Sequence, residues 1–336
     1  MTRFGFRTVV GLTVSGIFLY FAIRRINLLA TWTILSGVQV VFLIFAAAIY
    51  LVATWVRAWR WLYLFEGLQP RVSTLFAATA VGYMVNNILP LRLGELARSH
   101  YLTQKADVQF PMAFATILVE RFLDFLAALI LAGITLFFVQ YPAWVVKGFY
   151  LAFVLTAALA AALFVIRHFR NACRRMITTL AGYGPAGLGR AFGRGFESFR
   201  AGLGALRMGR HLVPISLLSI LLWLCYLMAI IQVFRSFGWE MPPSAPWGVL
   251  AFMNLAMMIP SAPGQLGTVQ FFLVLILGLY GVQKEAAFSF SVVLHFVIYV
   301  TMTTVGLFYF IGAQVPLGRV ARMSVSQAAI SAGSKR

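Results

Sequence analysis

Long apolar runs are the feature of this 336-residue sequence that most constrains its fold. A bilayer core about 30 Å thick takes about 20 helical residues to cross. Six runs are of about this length, at 8–23, 38–60, 112–138, 146–167, 212–235 and 286–311. Hydrophobic residues make up 62% of the chain, and the alternating segments of a transmembrane β-barrel are not found. The sequence therefore predicts an all-α integral membrane protein with about six transmembrane helices.

Two further apolar segments are short and interrupted. The segments at 73–88 and 248–262 are followed by a proline or end at one, and Gly-containing segments begin after them at 92–104 and 266–281. Segments of this kind are tolerated at membrane depth only where protein or a water-filled cavity surrounds them. We therefore expect two re-entrant, broken-helix hairpins.

The two hairpins indicate an internal repeat. Residues 90–95 read PLRLGE and residues 263–268 read PGQLGT. A shift of 174 residues also superposes the long runs that flank the first hairpin on those that flank the second. We expect one repeat at about 38–138 and the other at about 212–312, in inverted topology. Secondary transporters with this plan bind substrate between their repeats near the membrane midplane.

The distribution of positive charge predicts the orientation of the chain. The loop at 167–211 contains nine arginines and one acid, Glu197, and basic loops stay on the cytoplasmic side. We predict a multi-pass protein of the bacterial cytoplasmic (inner) membrane with both termini cytoplasmic. Residues 1–315 form its single membrane domain, and 316–336 form a disordered cytoplasmic tail.

Other segments fit this orientation. Arg57, Arg60 and Arg71 indicate a further cytoplasmic loop, and the Trp-rich segment at 55–61 is typical of an anchor at the membrane interface. The phenylalanines of the 167–211 loop favour an amphipathic helix on the leaflet over a solvated linker. The first apolar run is interpreted as a retained span, because Arg24 and Arg25 follow it instead of a cleavage site.

Composition also limits the function classes. The net charge of +19 is that of a membrane protein with basic loops, so we expect lipids and no nucleic acid as partners. A homodimer and a partner lipid-modifying enzyme stay open. The two cysteines and four histidines are scattered, so no metal site or cofactor is predicted.

Charged residues concentrate in one apolar part of the chain. Only eight residues are acidic, and half of them lie within residues 82–124: Glu95, Asp107, Glu120 and Asp124. Charge at membrane depth is expensive and usually marks a pathway or a binding site.

The first break has the composition of an anion site. Proline ends one half-helix, asparagine side chains can satisfy the freed backbone groups, and the next half-helix directs its positive end into the cavity. The alternative is that the arginines pair with nearby carboxylates and hold the hairpin in place. The candidate substrate-binding residues here are Asn86, Asn87, Pro90, Arg92, Gly94, Glu95 and Arg98.

Glu120, Arg121 and Asp124 are further candidates in the following run. Glu120 and Asp124 share a helix face because they are one turn apart. They can pair with Arg92 or Arg98, or couple transport to protons. Such a same-face pair is poor evidence for acid–base catalysis, so we predict no catalytic residue.

The second hairpin is uncharged. Its polar residues, including Gln265 and Thr268, provide neutral donors and acceptors. A lone histidine in a span is often only a partner in helix packing, and a functional role is the alternative. The candidate substrate-binding residues of this half are Pro263, Gly264, Gly267, Gln270 and His295.

These motifs resemble the lysylphosphatidylglycerol synthase transmembrane-region family. The resemblance rests on NNILPLRLGELAR at 86–98, VERFLD at 119–124 and PSAPGQLGTVQ at 260–270, and it covers about residues 10–315. It implies a flippase-like membrane domain. The soluble domain that makes the lipid in full-length synthases is absent from this sequence, so lysyl transfer, and enzyme activity generally, is not expected. Gln270 stands where many relatives have an acid, which argues against a cationic substrate.

The function expected from these observations is the binding and translocation of an amphiphilic, anionic lipid of the phospholipid or polyprenyl-phosphate type. Two alternatives remain open at this point. One is a non-catalytic accessory subunit of a lipid- or glycan-modifying enzyme. The other is a membrane-embedded enzyme that acts on a lipid head group with Glu120 or Asp124 as base.

Overall fold

The regular structure of the chain is helical. The computed structural model describes residues 3–24, 26–65, 67–89, 93–138, 140–169, 211–257, 259 and 261–312. Every regular element in these ranges is a helix, which confirms the predicted all-α fold. The α-helices are α1 (Arg3–Ile23), α2 (Leu28–Ser36), α3 (Val40–Leu62), α4 (Val72–Ile88), α5 (Gly94–Lys105), α6 (Phe110–Thr135), α7 (Ala143–His168), α8 (Leu212–Ser236), α9 (Ser244–Ala256), α10 (Thr268–Leu279) and α11 (Lys284–Gly312).

Four helices of the described ranges are long and apolar enough to cross a membrane: α3, α7, α8 and α11. The count is five if α1 and α2, which meet at 84°, form one bent span. The sequence predicted about six, and α6 accounts for part of the difference. This helix has 26 residues, but Glu120, Arg121 and Asp124 lie in its middle.

The backbone at the first break follows from proline chemistry. α4 ends at Ile88, and Leu89 is extended (φ −101°, ψ 143°). A residue before proline is disfavoured in helical conformation, because the proline ring collides with its backbone. α5 then begins at Gly94.

The second break is longer and depends on glycine. A 3₁₀ turn at Pro263–Gln265 lies between α9 and α10. Gly264 (φ +63°) is in the left-handed region within this turn, and Gly267 has φ +87° just before α10. Glycine adopts positive φ at little cost because it has no Cβ, so these two positions let the chain turn sharply inside the protein.

Helices α3 and α8 pack along most of their length and run antiparallel. At one end of the pair, the Gln39 backbone N–H donates to the Ser236 carbonyl at 2.9 Å. Towards the other end, Arg60 Nη1 donates to Ser219 Oγ at 3.2 Å. Residue numbers therefore rise along one helix as they fall along the other.

Helix α11 packs against α4 through a glycine. A Cβ added to Gly306 would lie 2.4 Å from the Ala80 carbonyl oxygen and 2.5 Å from Met84 Cβ. The absence of a side chain at Gly306 therefore lets the two backbones approach closely.

Helix α1 packs on the chain at the second break. Ser15 Oγ accepts a hydrogen bond from the Ala262 N–H at 2.7 Å, and the rings of Phe18 and Phe271 are 4.9 Å apart. The first apolar run is thus part of the helix packing around the second break.

The assignment of Arg57 and Arg60 to a cytoplasmic loop is wrong. Both lie in the last turns of α3 and are buried, with exposed fractions of 4% and 0%. Trp61 is also buried, so the segment at 55–61 is not simply an interfacial anchor, although Trp55 and Trp59 do face outwards. The physical reason is helical periodicity, because Arg57 and Arg60 share the inner face of α3.

Two predictions cannot be compared with the fold. Most of the basic loop at 167–211, with its predicted interfacial helix, lies outside the described residues. The predicted tail at 316–336 lies outside them as well.

The α4–α11 contact gives a first prediction. The Gly306→Ala substitution should lower the apparent melting temperature in detergent, because overpacking a close helix contact costs about 1–3 kcal/mol. The matched control is Gly133→Ala on α6, where an added Cβ meets nothing within 4 Å. That variant should melt at or above the parent temperature, because alanine is the better helix former. Equal melting temperatures for the two variants would contradict the close α4–α11 contact.

Candidate functional site

A buried ion network joins α3, α5 and α6. Glu120 and Asp124 lie one turn apart on α6 and are 0% and 6% exposed. Arg57 of α3 places Nη1 2.6 Å from Glu120 Oε1 and 2.6 Å from Asp124 Oδ2. Arg60, one turn further along α3, places Nη2 2.7 Å from Asp124 Oδ1. The two carboxylates therefore fix α3 against α6.

Arg98 of α5 joins the same network through both terminal nitrogens, although its Nε, like the Nε of Arg60, is buried without a hydrogen-bond partner in the described part of the chain. Its two terminal nitrogens donate to the two oxygens of Glu120 at 2.9 and 2.8 Å. The guanidinium carbon lies 3.7 Å from the ring centre of Trp61, which in turn donates to Thr116 Oγ1 at 2.9 Å. The sequence left two roles open for Arg98, anion binding or pairing with a nearby carboxylate. These contacts show that Arg98 pairs with Glu120.

Arg121 is the least engaged arginine of the cluster. Its Nη2 lies 3.4 Å from Glu120 and 3.9 Å from Asp124, and the side chain is 26% exposed. Its Nε is buried without a hydrogen-bond partner in the described part of the chain. The other three arginines are 0–5% exposed and hold the two carboxylates at 2.6–2.8 Å, so Arg121 differs from them in its exposure and in its longer contacts.

Asparagine side chains organise the first break. Asn86 Oδ1 accepts from the Gly94 N–H at 2.7 Å, so it satisfies a backbone donor at the start of α5. Asn86 Nδ2 lies 3.5 Å from Glu95 Oε2. Gly94 must be glycine, since an added Cβ would lie 2.1 Å from the Gly82 carbonyl oxygen and collide with Asn86.

Asn87 links the first break to the last helix. Its Nδ2 donates to Thr303 Oγ1 at 2.8 Å, and the Tyr299 hydroxyl donates to the Asn87 carbonyl at 3.3 Å. The two asparagines therefore have different partners: Asn86 supports α5, and Asn87 supports the contact with α11.

The second break is held by a glutamine and a histidine. Gln270 Oε1 accepts from the Gly267 N–H at 2.7 Å, and its Nε2 lies 2.9 Å from His295 Nδ1. Because the amide oxygen is already an acceptor, the amide nitrogen donates to Nδ1. His295 is therefore a neutral imidazole with its proton on Nε2, and it joins α10 to α11.

A cavity of about 120 Å³ lies where the two breaks meet. Its polar lining combines charged, aromatic and amide side chains from both halves of the chain. Apolar residues such as Leu250, Met253 and Ile298 complete it. The polar and ionisable lining residues are Tyr50, Arg57, Tyr83, Asn86, Asn87, Glu95, Arg121, Asp124, Tyr226, Asn254, Gln265, His295 and Tyr299.

The structure brings part of the predicted set together. The predicted binding residues that line the cavity are Asn86, Asn87, Glu95, Arg121, Asp124, Gly264 and His295. The predicted binding residues that pack beside the cavity are Gly94, Arg98, Glu120, Pro263, Gly267 and Gln270. Pro90 and Arg92 lie outside the described residues. Within the described ranges, no group of three or more His, Cys, Asp or Glu side chains could hold a metal ion.

Sequence reasoning missed Arg57 and the tyrosines. Arg57 donates from Nε to the Tyr226 hydroxyl at 3.2 Å, and the Tyr50 and Tyr226 rings are 5.2 Å apart. One signal was present in the sequence. Arg57 and Arg60 stand at helical spacing in an apolar run, and intramembrane arginines require carboxylate partners, which are rare in this chain.

The network gives a second prediction. Glu120→Ala should destabilise the protein by about 3–5 kcal/mol, because it leaves the guanidinium groups of Arg57 and Arg98 short of a buried partner. The double substitution Arg98→Ala/Glu120→Ala should cost less than the sum of the two single ones. Apparent melting temperature and the monodisperse fraction after purification measure both effects.

The control for these three variants is Glu240→Ala, which removes an exposed carboxylate. It should have the same apparent melting temperature as the parent protein. If Glu120→Ala also melted with the parent, the network would not hold α3, α5 and α6 together.

Two known proteins that this chain resembles are described as membrane proteins. A UPF0104 membrane protein of Methanothermobacter thermautotrophicus is 24% identical over 234 residues, which cover 65% of this chain and 69% of that protein. A UPF0104 membrane protein of Methanocaldococcus jannaschii is 26% identical over 147 residues, or 43% of this chain and 42% of that protein. No solved structure matches the chain.

The family assignment rests on a match that covers most of the sequence. Residues 8–306 match the family described as lysylphosphatidylglycerol synthase TM region. The match includes both helix breaks and every residue of the ion network. This chain therefore belongs to the lysylphosphatidylglycerol synthase TM region family of membrane proteins.

Proposed function

We propose that this protein binds the anionic head group of a membrane lipid in the central cavity and moves the lipid between the leaflets of the cytoplasmic membrane. The observation that carries the proposal is the cavity itself. It lies between the two breaks, combines apolar walls with polar and ionisable side chains, and is lined by Arg121, whose side chain is the most exposed of the arginines in the ion network. A head group held there would avoid the hydrocarbon, while its acyl chains stay in lipid.

Helix packing supports an inverted repeat as the architecture of this transporter. If α3, α4, α5 and α6 correspond to α8, α9, α10 and α11, most contacts exchange between the halves. α4 packs on α11 as α9 packs on α6, and α5 packs on α6 as α10 packs on α11. Helices α3 and α8 correspond to each other and lie on the proposed pseudo-two-fold axis that relates the two repeats. They are antiparallel, as an inverted repeat requires.

The two proposed re-entrant hairpins meet at the site. An added Cβ on Gly264 would lie 2.7 Å from the Tyr299 ring and 3.4 Å from the Asn87 carbonyl oxygen. The turn of the second hairpin thus lies against the end of α4 in the first. Rocking of one repeat against the other would change this contact and open the cavity to each side in turn.

The repeat also pairs two of the cavity residues. The shift of 174 residues that superposes the halves places Arg121 on His295. Both side chains line the same cavity. Equivalent positions of two inverted repeats lie on opposite sides of one axis, so a shared site between them is what the proposal requires.

The ion pairs favour transport over the enzyme alternative. Glu120 is held by Arg57 and Arg98, and Asp124 by Arg57 and Arg60, all at 2.6–2.9 Å. A carboxylate that binds two guanidinium groups is a poor general base. Glu120 and Asp124 instead have the geometry of structural supports for the neighbouring Arg121.

The third prediction concerns topology. We place α1, α3, α6, α7, α8 and α11 across the membrane, with both termini and the 167–211 loop in the cytoplasm. Single cysteines introduced at 180–200 into a cysteine-free background should then be labelled by an impermeant maleimide only after the cells are opened. Strong labelling of intact cells at these positions would overturn both the orientation and the inverted repeat.

The fourth prediction concerns transport. The purified chain in phosphatidylcholine liposomes should accelerate leaflet exchange of at least one labelled lipid from a panel of phosphatidylglycerol, its lysylated form and a polyprenyl phosphate. Arg121→Gln should slow that exchange by about tenfold, because a hydrogen bond to a charged group contributes about 1.5–3 kcal/mol. Exchange is measured as the fraction of label accessible to an external quencher over time.

The matched control is Tyr150→Phe, which removes a hydroxyl from the exposed side of α7. It should exchange lipid at the parent rate. Folded protein that accelerated no lipid of the panel would contradict transport by the chain alone, and an accessory role beside a lipid-modifying enzyme would then be the leading explanation.

A further inference from the structure

We infer that Glu95 is the proton-binding group of this protein, and that an anionic lipid moves between the leaflets together with one proton. This coupling rests on the proposed function, because it supplies the driving force for the same transport. Three observations support it: the position of Glu95 between two cavities, its lack of a cationic partner among the described residues, and the engagement of the other ionisable groups of the site.

Glu95 lies where two cavities meet. It lines the central cavity of about 120 Å³ and a side cavity of about 10 Å³. Tyr83, Asn86 and Arg121 line both cavities as well. One water needs about 10–15 Å³ on this measure, so the side cavity has room for about one water and the central cavity for about ten. Glu95 can therefore exchange a proton with water in the same cavity that Arg121 lines.

The Glu95 carboxylate forms no ion pair with another residue that the structure describes. The hydrogen bond that it receives there comes from Asn86 Nδ2, at 3.5 Å from Oε2, which is long for such a bond. The side chain is half-buried. A half-buried carboxylate that no cation holds takes up a proton more readily than one that guanidinium groups hold.

The other two carboxylates of the site are held in their charged form. Glu120 accepts hydrogen bonds from Arg57 and Arg98 at 2.6–2.9 Å, and Asp124 accepts from Arg57 and Arg60 at 2.6–2.7 Å. A proton on either carboxylate would leave a buried guanidinium short of a partner, which is costly. The proton-coupling role that the sequence left open for Glu120 and Asp124 therefore needs another group.

The histidine that lines the central cavity is a poor proton carrier. The Gln270 amide nitrogen donates to Nδ1 of His295 at 2.9 Å. A proton added at Nδ1 would face this donor and break the bond, and it would place a charge at a buried position. His295 is therefore better suited to join α10 to α11 than to change its charge during transport.

The remaining titratable groups that line either cavity keep one charge state. The tyrosines are Tyr50, Tyr83, Tyr226 and Tyr299. A phenol is neutral near pH 7. The arginines are Arg57, Arg98 and Arg121. A guanidinium stays charged in proteins. Of the described groups around the two cavities, Glu95 is thus the one that can gain and lose a proton at little cost.

A bound phosphate and the Glu95 carboxylate oppose each other in one cavity. A second negative charge close by disfavours the charged form of a carboxylate. A head group bound at Arg121 therefore favours uptake of a proton by Glu95, and release of the lipid favours return of that proton to water. The lipid anion and the proton together add no net charge, so the loaded and the empty protein carry the same charge.

Glu95 is also placed where a change of charge acts on the first break. It lies in the first turn of α5, where the helix dipole favours a negative charge. Asn86 near the end of α4 accepts from the Gly94 N–H at 2.7 Å and contacts Glu95 with its other amide atom. A proton on Glu95 removes the charge at this junction and so weakens the connection between α4 and α5.

Proton uptake on lipid binding tests the coupling apart from transport. Delipidated protein in weakly buffered detergent with a pH-indicator dye is titrated with phosphatidylglycerol, an anionic probe, at values between about pH 5 and 8. The parent protein should take up as much as about one proton per bound lipid, as linkage requires when binding favours the protonated form. Glu95→Gln should take up none. Glu240→Gln, which changes an exposed carboxylate, is the matched control and should behave as the parent.

A proton gradient tests the same coupling during transport. Phosphatidylcholine liposomes with the protein and acyl-labelled phosphatidylglycerol are transferred to a buffer about two pH units more alkaline than their interior, with valinomycin and equal potassium to hold the membrane potential at zero. The label should accumulate in the outer leaflet at least about threefold over protein-free liposomes, within the limit of about a hundredfold that one-to-one coupling sets. An acidic outer buffer should reverse the accumulation.

Two substitutions assign this accumulation to the Glu95 proton. Glu95→Gln should abolish it, because an amide takes up no proton in this pH range. Glu95→Asp keeps a carboxylate at the same position and should retain accumulation. Glu240→Gln should accumulate label to the parent level.

The outcomes separate the coupling from the proposed function. Exchange by the parent without accumulation, or accumulation by Glu95→Gln, would overturn the coupling and leave transport standing. Proton uptake that depends on Glu95, in protein that exchanges no lipid, would support Glu95 as the proton site and contradict transport. Folded parent protein that binds the probe without proton uptake, or does not bind it, would overturn the coupling whether or not the variants can be purified.

Discussion

The pairing of buried charges between α3, α5 and α6 is the interaction on which the rest of this structure depends. Charge at membrane depth persists only where it is paired, and here two carboxylates on α6 hold arginines from two other helices. The same contacts therefore perform two tasks. They dock α5 and α3 against α6, and they keep four arginines close together.

The cluster has more cations than it needs for its own stability. Arg57, Arg60 and Arg98 satisfy Glu120 and Asp124, and Arg121 is held only at longer range. An excess of this kind is costly unless a ligand balances it. It connects the packing of the protein with its proposed function, because the least engaged guanidinium is also the one that lines the cavity.

The two breaks have different local chemistry but a common consequence. At the first, Asn86 caps a backbone donor of α5, and at the second Gln270 binds both the Gly267 backbone and His295. In each case a side-chain amide replaces a lost backbone hydrogen bond. Broken helices can thus end inside the protein, where their polar termini surround a cavity instead of meeting lipid.

The sequence by itself determined the helical fold, the positions of the breaks and the family, because apolar length and proline–glycine chemistry act locally along the chain. It also indicated that Glu120, Arg121 and Asp124 matter, since charge in an apolar run is rare. Only the tertiary structure decided their partners. Arg57 and Arg60 precede Glu120 by some 60 residues, and nothing in either segment encodes which helix faces which. The cavity and its tyrosines depend on the same packing, because their side chains come from helices far apart in the chain.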